Sequence, residues 1–294
     1  MMTESMSGRA QETAIAKAWA LLEADRPEQA LAELSRLSPD KAGAPAAFHL
    51  RGQALIRLDR WPEVGGNARR GLAELGPDPV LLGQLGFALI EKGEYASAER
   101  ALLDALALAP HDIDLLCGYA RLCLNAGQAD KARQLWKRAA AINPHHRSVM
   151  ATRVVLAIGA ADDREAQRAS DAFLAEYPSD PVALAFHGQV RESRGRSGYG
   201  SIRQAVAADP TDNDYAELAW ETKVRAHPLL VPLRPLFRLG PVKSWLLAVG
   251  IMFGLRAIGL NLLSFIAAMV WVALCVYSWI MPPLVRKWVL RHRR

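Results

Sequence analysis

One regularity constrains this 294-residue chain more than any other: a pattern of small, bulky and helix-ending residues returns at a fixed interval of 34 positions. From Pro79 to Asp112 it reads Leu85-Gly86, Leu89, Gly93, Tyr95, Ala98, Leu102, Ala105 and Pro110. One interval on, it reads Tyr119-Ala120, Cys123, Gly127, Ala132, Trp136, Ala139 and Pro144, and a second interval reaches Ala157, Ala161, Ala166, Ser170, Phe173 and Pro178. Each member has a steric reason. Small residues let two helix backbones approach, large ones fill the space between them, glycine lets the first helix end and proline stops the second. Such a chain is expected to stack helical hairpins side by side, with a core spread along a line.

The pattern resembles the tetratricopeptide repeat superfamily, whose signature of small, large, small and proline residues the segments 79–112, 113–146 and 147–180 match. The resemblance implies an all-α fold, a right-handed superhelix of helix-turn-helix repeats over residues 1–226. Around the three clear repeats the match loosens. Residues 45–78 keep Phe48, Gly52 and Ala54 and a turn at Asp59-Arg60-Trp61-Pro62, but Val64 and Gly65 stand where small and apolar residues of the second helix belong. Residues 181–210 keep Leu184, Gly188, Gly195, Ala205 and Pro210 in a shorter unit, and residues 12–43 form a shortened hairpin with a turn at Asp25-Arg26-Pro27 and a stop at Pro39. Terminal units of a solenoid have one neighbour each and are expected to be atypical. A helix over 212–225, with Tyr215, Leu218, Ala219 and Trp220 among Asp214, Glu217 and Glu221, is expected to cap the array.

In this superfamily the first helix of each hairpin lines a concave channel that receives a peptide. The resemblance therefore assigns a partner-binding groove to His49, Gln53, Ile56, Gln84, Phe87, Ile90, Arg121, Leu124, Val155, Ile158, Phe186 and Gln189. Members that bind chaperone C-termini hold the terminal carboxylate with lysines, asparagines and an arginine. Here the corresponding places carry His49, Gln53, Gln84, Asp114 and Gly118, so the expected occupant is a protein segment with apolar side chains at helical or alternate spacing. Any single groove residue has the alternative of being core.

Charge divides the chain in two. Residues 222–294 hold 11 Lys or Arg and no Asp or Glu, which leaves 25 basic residues against 30 acidic ones in residues 1–221. The acidic N-terminal part argues against nucleic acid as a partner. Between Arg256 and Arg286 no residue is charged, and the run 259–281 is long enough, at ~35 Å as a helix, to cross a hydrocarbon layer of about 30 Å. Tyr277 and Trp279 near its end and Arg286, Lys287, Trp288, Arg291, Arg293 and Arg294 in the basic tail 282–294 match an aromatic belt and a basic anchor. Ahead of it only the twelve residues 244–255 lie uncharged between Lys243 and Arg256, too few to span unless both charges snorkel. One crossing would translocate the Arg-rich tail. Two crossings keep Arg234, Arg238, Lys243 and the tail on one side, so a membrane hairpin over 244–281 is favoured. Gly250 with Gly254, and Ser264 with Ala268, form small-xxx-small pairs for packing within the hairpin or between copies in a homo-oligomer. Residues 227–243, with Pro228, Pro232, Pro235 and Pro241 among apolar residues and two arginines, read as a stiff linker at the lipid surface.

Chemistry is weakly signalled. No metalloprotease, nucleophile-elbow, phosphate-loop or dinucleotide pattern occurs, and Cys117, Cys123 and Cys275 show no CxxC spacing. His145-His146 has no third ligand nearby in sequence, and Asp162-Asp163 reads as a helix cap. No enzyme, cofactor or metal is expected. The reading is a membrane-tethered adaptor that binds a partner protein through its cytoplasmic solenoid, with the C-terminal tail also cytoplasmic. Alanine- and arginine-rich usage suggests a bacterial inner membrane. The alternative is a structural subunit of an envelope-assembly or transport complex whose main interface is the membrane hairpin.

Overall fold

The computed structural model describes the backbone of residues 2–37, 43–210, 212–225 and 234–291, and the side chains of 13–37, 43–210, 212, 214–224, 243–281 and 284. Pro39, linker residues 227–233, Arg293 and Arg294 lie outside the described residues, as do the side chains of Arg286, Lys287, Trp288 and Arg291. Every regular element among the described residues is helical. The chain divides into two compact units, 1–190 and 191–294.

The first unit alternates two helix layers: α1 (Met2–Glu23), α2 (Pro27–Ser35), α3 (Pro45–Arg57), α4 (Trp61–Leu75), α5 (Pro79–Glu91), α6 (Tyr95–Leu108), α7 (Ile113–Asn125), α8 (Ala129–Ile142), α9 (Arg147–Gly159), α10 (Asp163–Glu176) and the body of α11 (Pro181–Ser193). The period is visible in the backbone. Asp25, Asp59, Gly93, Gly127, Ala161 and Gly195 all have positive φ, each 34 residues after the last. At each of these places the first helix of a hairpin must reverse within two residues, and a left-handed residue accomplishes it. The second helix then starts at 27, 61, 95, 129 and 163. The period thus runs unbroken through the two N-terminal units whose sequence pattern is loose.

Capping keeps the same step. Asp78, Asp112 and Asp180 each accept a hydrogen bond from the backbone N–H three residues on, at 2.9, 2.9 and 3.0 Å. His146 Nδ1 takes that place at 3.3 Å from the Ser148 N–H, and Ala44 offers no side-chain acceptor. Asp162 accepts from the N–H groups of both Arg164 and Glu165, the cap expected at that turn.

Packing explains why the looser units still fit. Ala98, Leu102 and Ala105 are fully buried on α6, and their counterparts one interval earlier, Val64 and Ala68, are fully buried as well. The bulky side chain has moved one turn toward the helix start. One turn the other way, Ser170 and Phe173 on α10 replace the leucine and the second alanine, and both are also fully buried. The bulky member of the buried set thus shifts along the helix from repeat to repeat while each position stays buried. Two carboxamides tie the second hairpin further: Asn67 Nδ2 donates to the Phe48 carbonyl at 2.9 Å, and Gln84 Nε2 donates to the His49 carbonyl at 3.0 Å. Gly52 admits the Gln84 amide, since a Cβ there would lie 1.9 Å from its oxygen.

The second unit holds α12 (Tyr199–Ala208), α13 (Asn213–Arg225), α14 (Arg234–Ala257) and α15 (Asn261–Arg291). α12 packs on α13, and α14 packs on α15 across a turn in which Gly259 has φ of 82°. The stretch 234–243, expected as linker, is the start of α14; Pro235 is tolerated there because the first helical N–H groups have no partner within the helix. Helix α15 begins at Asn261, two residues later than expected, and continues through Pro282-Pro283 to Arg291. Among the described residues one segment, Asn261–Met281, is long and apolar enough to cross a membrane, and none of its apolar window is buried. The Ser264 hydroxyl donates to the Met252 carbonyl at 3.0 Å, which fixes the level at which α14 and α15 meet. Ala268 is half-buried on the same side. Gly250 and Gly254 stand apart: a Cβ added at either meets nothing within 4 Å.

Candidate partner-binding cleft

In each repeat the first helix presents the same positions to one face of the first unit. Gln53, Phe87, Arg121 and Val155 follow one another at 34-residue steps, and so do Ile56, Ile90 and Leu124. The structure brings Gln53, Ile56, Gln84, Phe87, Arg121, Leu124, Val155 and Phe186 together around one cleft of about 610 Å³. Its floor is made low by small residues. A Cβ on Gly118 would lie 2.1 Å from the Phe87 ring, so glycine lets that ring lie across α7. Cys117, Ala151 and Thr152 continue the floor, and Trp61, Val80 and Val182 add apolar wall that sequence reasoning omitted.

Four expected groove residues are elsewhere. Ile90 is 5 % exposed and belongs to the central hydrophobic core, so it is a packing residue. Ile158 and Gln189 are exposed outside the cleft. His49 lines a second, mostly apolar cleft of about 540 Å³ with Ile15, Ala16, Trp19, Ala46 and Leu50. Trp19 lies one interval before Gln53 and therefore holds the repeat position of Phe87 and Arg121; it is 58 % exposed. Counting back from Gln53 would have found it.

The charges of the main cleft are occupied from within. Asp112 caps α7, Asp114 accepts from the Ser148 hydroxyl, Arg147 pairs with Asp180, and Arg121 lies 3.6 Å from Glu91. In the second cleft His49 Nε2 meets Asp78 Oδ1 at 2.9 Å. Burial pushes the Cys117 thiol up to about 11, so at neutral pH it is a protonated packing group and not a nucleophile. Among the described residues no three His, Cys, Asp or Glu side chains gather as a metal site would require. The cleft offers shape, apolar surface and neutral hydrogen-bonding groups.

The sequence of residues 89–150 matches the family model described as tetratricopeptide repeat. Over those residues the chain carries the tetratricopeptide repeat. Its solenoid is similar in fold to a thermophilic tetratricopeptide protein of Thermus thermophilus, at 18 % identity and a TM-score of 0.54, over 59 % of this chain and 95 % of that one. It is also similar to PilW, a type IV pilus biogenesis factor, at 15 % identity and a TM-score of 0.53, over 72 % of this chain and 98 % of that one. A third likeness is to a chain of the APC/C hetero-tetramer Cut9–Hcn1, at 13 % identity and a TM-score of 0.59, over 72 % of this chain and 42 % of that one. These likenesses show the fold, an all-helical solenoid of stacked hairpins. No curated protein matches the sequence.

Proposed function

We propose that this tetratricopeptide protein is a membrane-tethered adaptor that holds an apolar segment of a partner protein in the cleft between α3 and α11. The observation that carries the reading is the combination of an open cleft walled by Phe87, Leu124, Val155 and Phe186 with cleft charges already paired inside the solenoid. A segment entering there exchanges water for apolar contact and leaves few charges to be stripped of solvent. Trp19 and the second cleft extend the same row of repeat positions by one hairpin, and an exposed aromatic ring is the side chain most suited to anchoring a partner. The apolar helix at 261–281 supplies the tether, which confines adaptor and partner to the bilayer and raises their effective concentration.

The test is site-specific photocrosslinking of the full chain in its membrane. A photoreactive residue at Leu124 should capture one defined protein. One at Lys137, exposed on α8 in the other helix layer, should capture nothing comparable. Ala151→Trp, which raises the cleft floor, should remove the adduct. A second reading, in which the C-terminal helices are the main interface, is supported by the open strip at Gly250 and Gly254. Capture from Phe253 with none from Leu124 would favour that reading.

A further inference from the structure

We infer that α14 and α15 form a hairpin that crosses the bilayer twice, so that the solenoid and the C-terminus lie on the same face and the 256–261 turn lies on the other. The inference rests on the tethering reading and adds to it the number of crossings. It starts from α13. Val224 of that helix is buried in a cluster with Trp220, Tyr277 and Met281, which seats α13 against the C-terminal end of the apolar span. Asp214, Glu217 and Lys223 on α13 are exposed, and a helix with three exposed charges belongs in water or the headgroup layer, not in hydrocarbon. The Tyr277–Met281 end of the span is therefore at the aqueous face from which the chain arrives. Tyr277 and the 85 % exposed Trp279 are the residue types that favour that boundary.

Parity then decides the rest. Twenty-one residues from Asn261 to Met281 rise ~32 Å, so Asn261 lies at the opposite boundary. A chain that leaves α13 on one face and begins its last traverse from the other must cross in between. The helix described in that interval is α14, 24 residues long, or ~36 Å. Its contact with α15, set by the Ser264 to Met252 hydrogen bond near the turn, runs antiparallel to the span. Outward-facing Trp245, Leu247, Ile251 and Phe253 suit acyl chains. Lys243 and Arg256, both exposed, are the charges that must extend to the two headgroup layers. Ile258 and Leu262 at the turn, 75 and 74 % exposed, fit the boundary region better than open water.

Cysteine labelling tests this with the full chain. Cys117 and Cys123 are buried, so a Cys275→Ala background serves for single additions. Ile258→Cys, Asn261→Cys, Lys223→Cys and a cysteine appended after Arg294 are treated with a membrane-impermeant maleimide in sealed right-side-out vesicles, then after detergent. The expected result is labelling at 258 and 261 in sealed vesicles, and at 223 and the C-terminus only after detergent. Opposite behaviour of 223 and the appended cysteine in sealed vesicles means a single crossing and overturns the inference. Equal behaviour of 223, 258 and 261, all labelled or all protected, means a hairpin that enters without crossing, and overturns it as well. In either case carbonate extraction reports the tether separately: a chain that stays with the membrane keeps the adaptor reading while the topology falls, and a chain released into solution removes both.

Discussion

The repeats and the C-terminal pair are built from the same unit, two antiparallel helices joined by a turn with a left-handed residue, and they are inside out with respect to each other. In the repeats the bulky apolar side chains are hidden: Phe173, Leu102 and Leu116 have no exposed surface. In the C-terminal pair the Ser264 hydroxyl donates across to α14 and Ser244 is buried, while Phe253, Leu262 and Trp279 stand outside. Water drives the first arrangement by excluding apolar area. The second gains nothing in water and is the arrangement expected in hydrocarbon, where helices associate through small residues and interhelical hydrogen bonds.

The comparison can be broken most forcefully by moving a charge. Val270→Arg puts a cation in the middle of the apolar run 261–281; under the proposed tethering it should cost about 3 kcal/mol of insertion, seen as loss of the chain from the carbonate-resistant membrane fraction. Leu103→Arg, at a half-exposed position of α6, should leave both fractionation and thermal stability nearly unchanged. Next in size is deletion of a ring. Phe173→Ala should cost about 3–5 kcal/mol in a denaturation midpoint of the solenoid, and Phe253→Ala less than about 1 kcal/mol, since its ring is 71 % exposed. Glycine sharpens the contrast. Gly118→Leu collides with the Phe87 ring and should cost about 1–3 kcal/mol and weaken partner capture from Leu124, whereas Gly250→Leu meets open space and should be neutral or favourable for α14. The smallest effect lies within the period itself: Ala161 holds φ of 53° where two neighbouring repeats have glycine, so Ala161→Gly should raise the solenoid midpoint by about 1 kcal/mol. A fall on that substitution would mean that backbone entropy outweighs the relieved contact.

The helical architecture is legible because the period is steric, and residues such as Gly93, Gly127 and Leu102 declare their roles by size alone. The second hairpin is harder to read because its bulky buried residue is shifted: Val64 and Ala68 stand for Ala98 and Leu102 with large and small in reversed order, and only the packed structure reveals that both are buried. The cleft is half legible. Counting positions along the first helices finds Phe87, Arg121 and Val155, yet Ile90 shares a repeat position with Ile56 and Leu124 and is nonetheless buried, because what covers a residue is decided by neighbouring helices and not by its own register. Trp19 escapes for the opposite reason: a unit expected to be atypical gives no cue to a binding position, although α1 keeps the step.

The recurring left-handed residue at 25, 59, 93, 127, 161 and 195 gives the molecule the character of a ruler with identical graduations. Excision or duplication of one graduation, for instance residues 94–127, rejoins the flanking chain in phase, so evolution or an experimenter can lengthen or shorten the solenoid in whole units while every remaining turn keeps its hand.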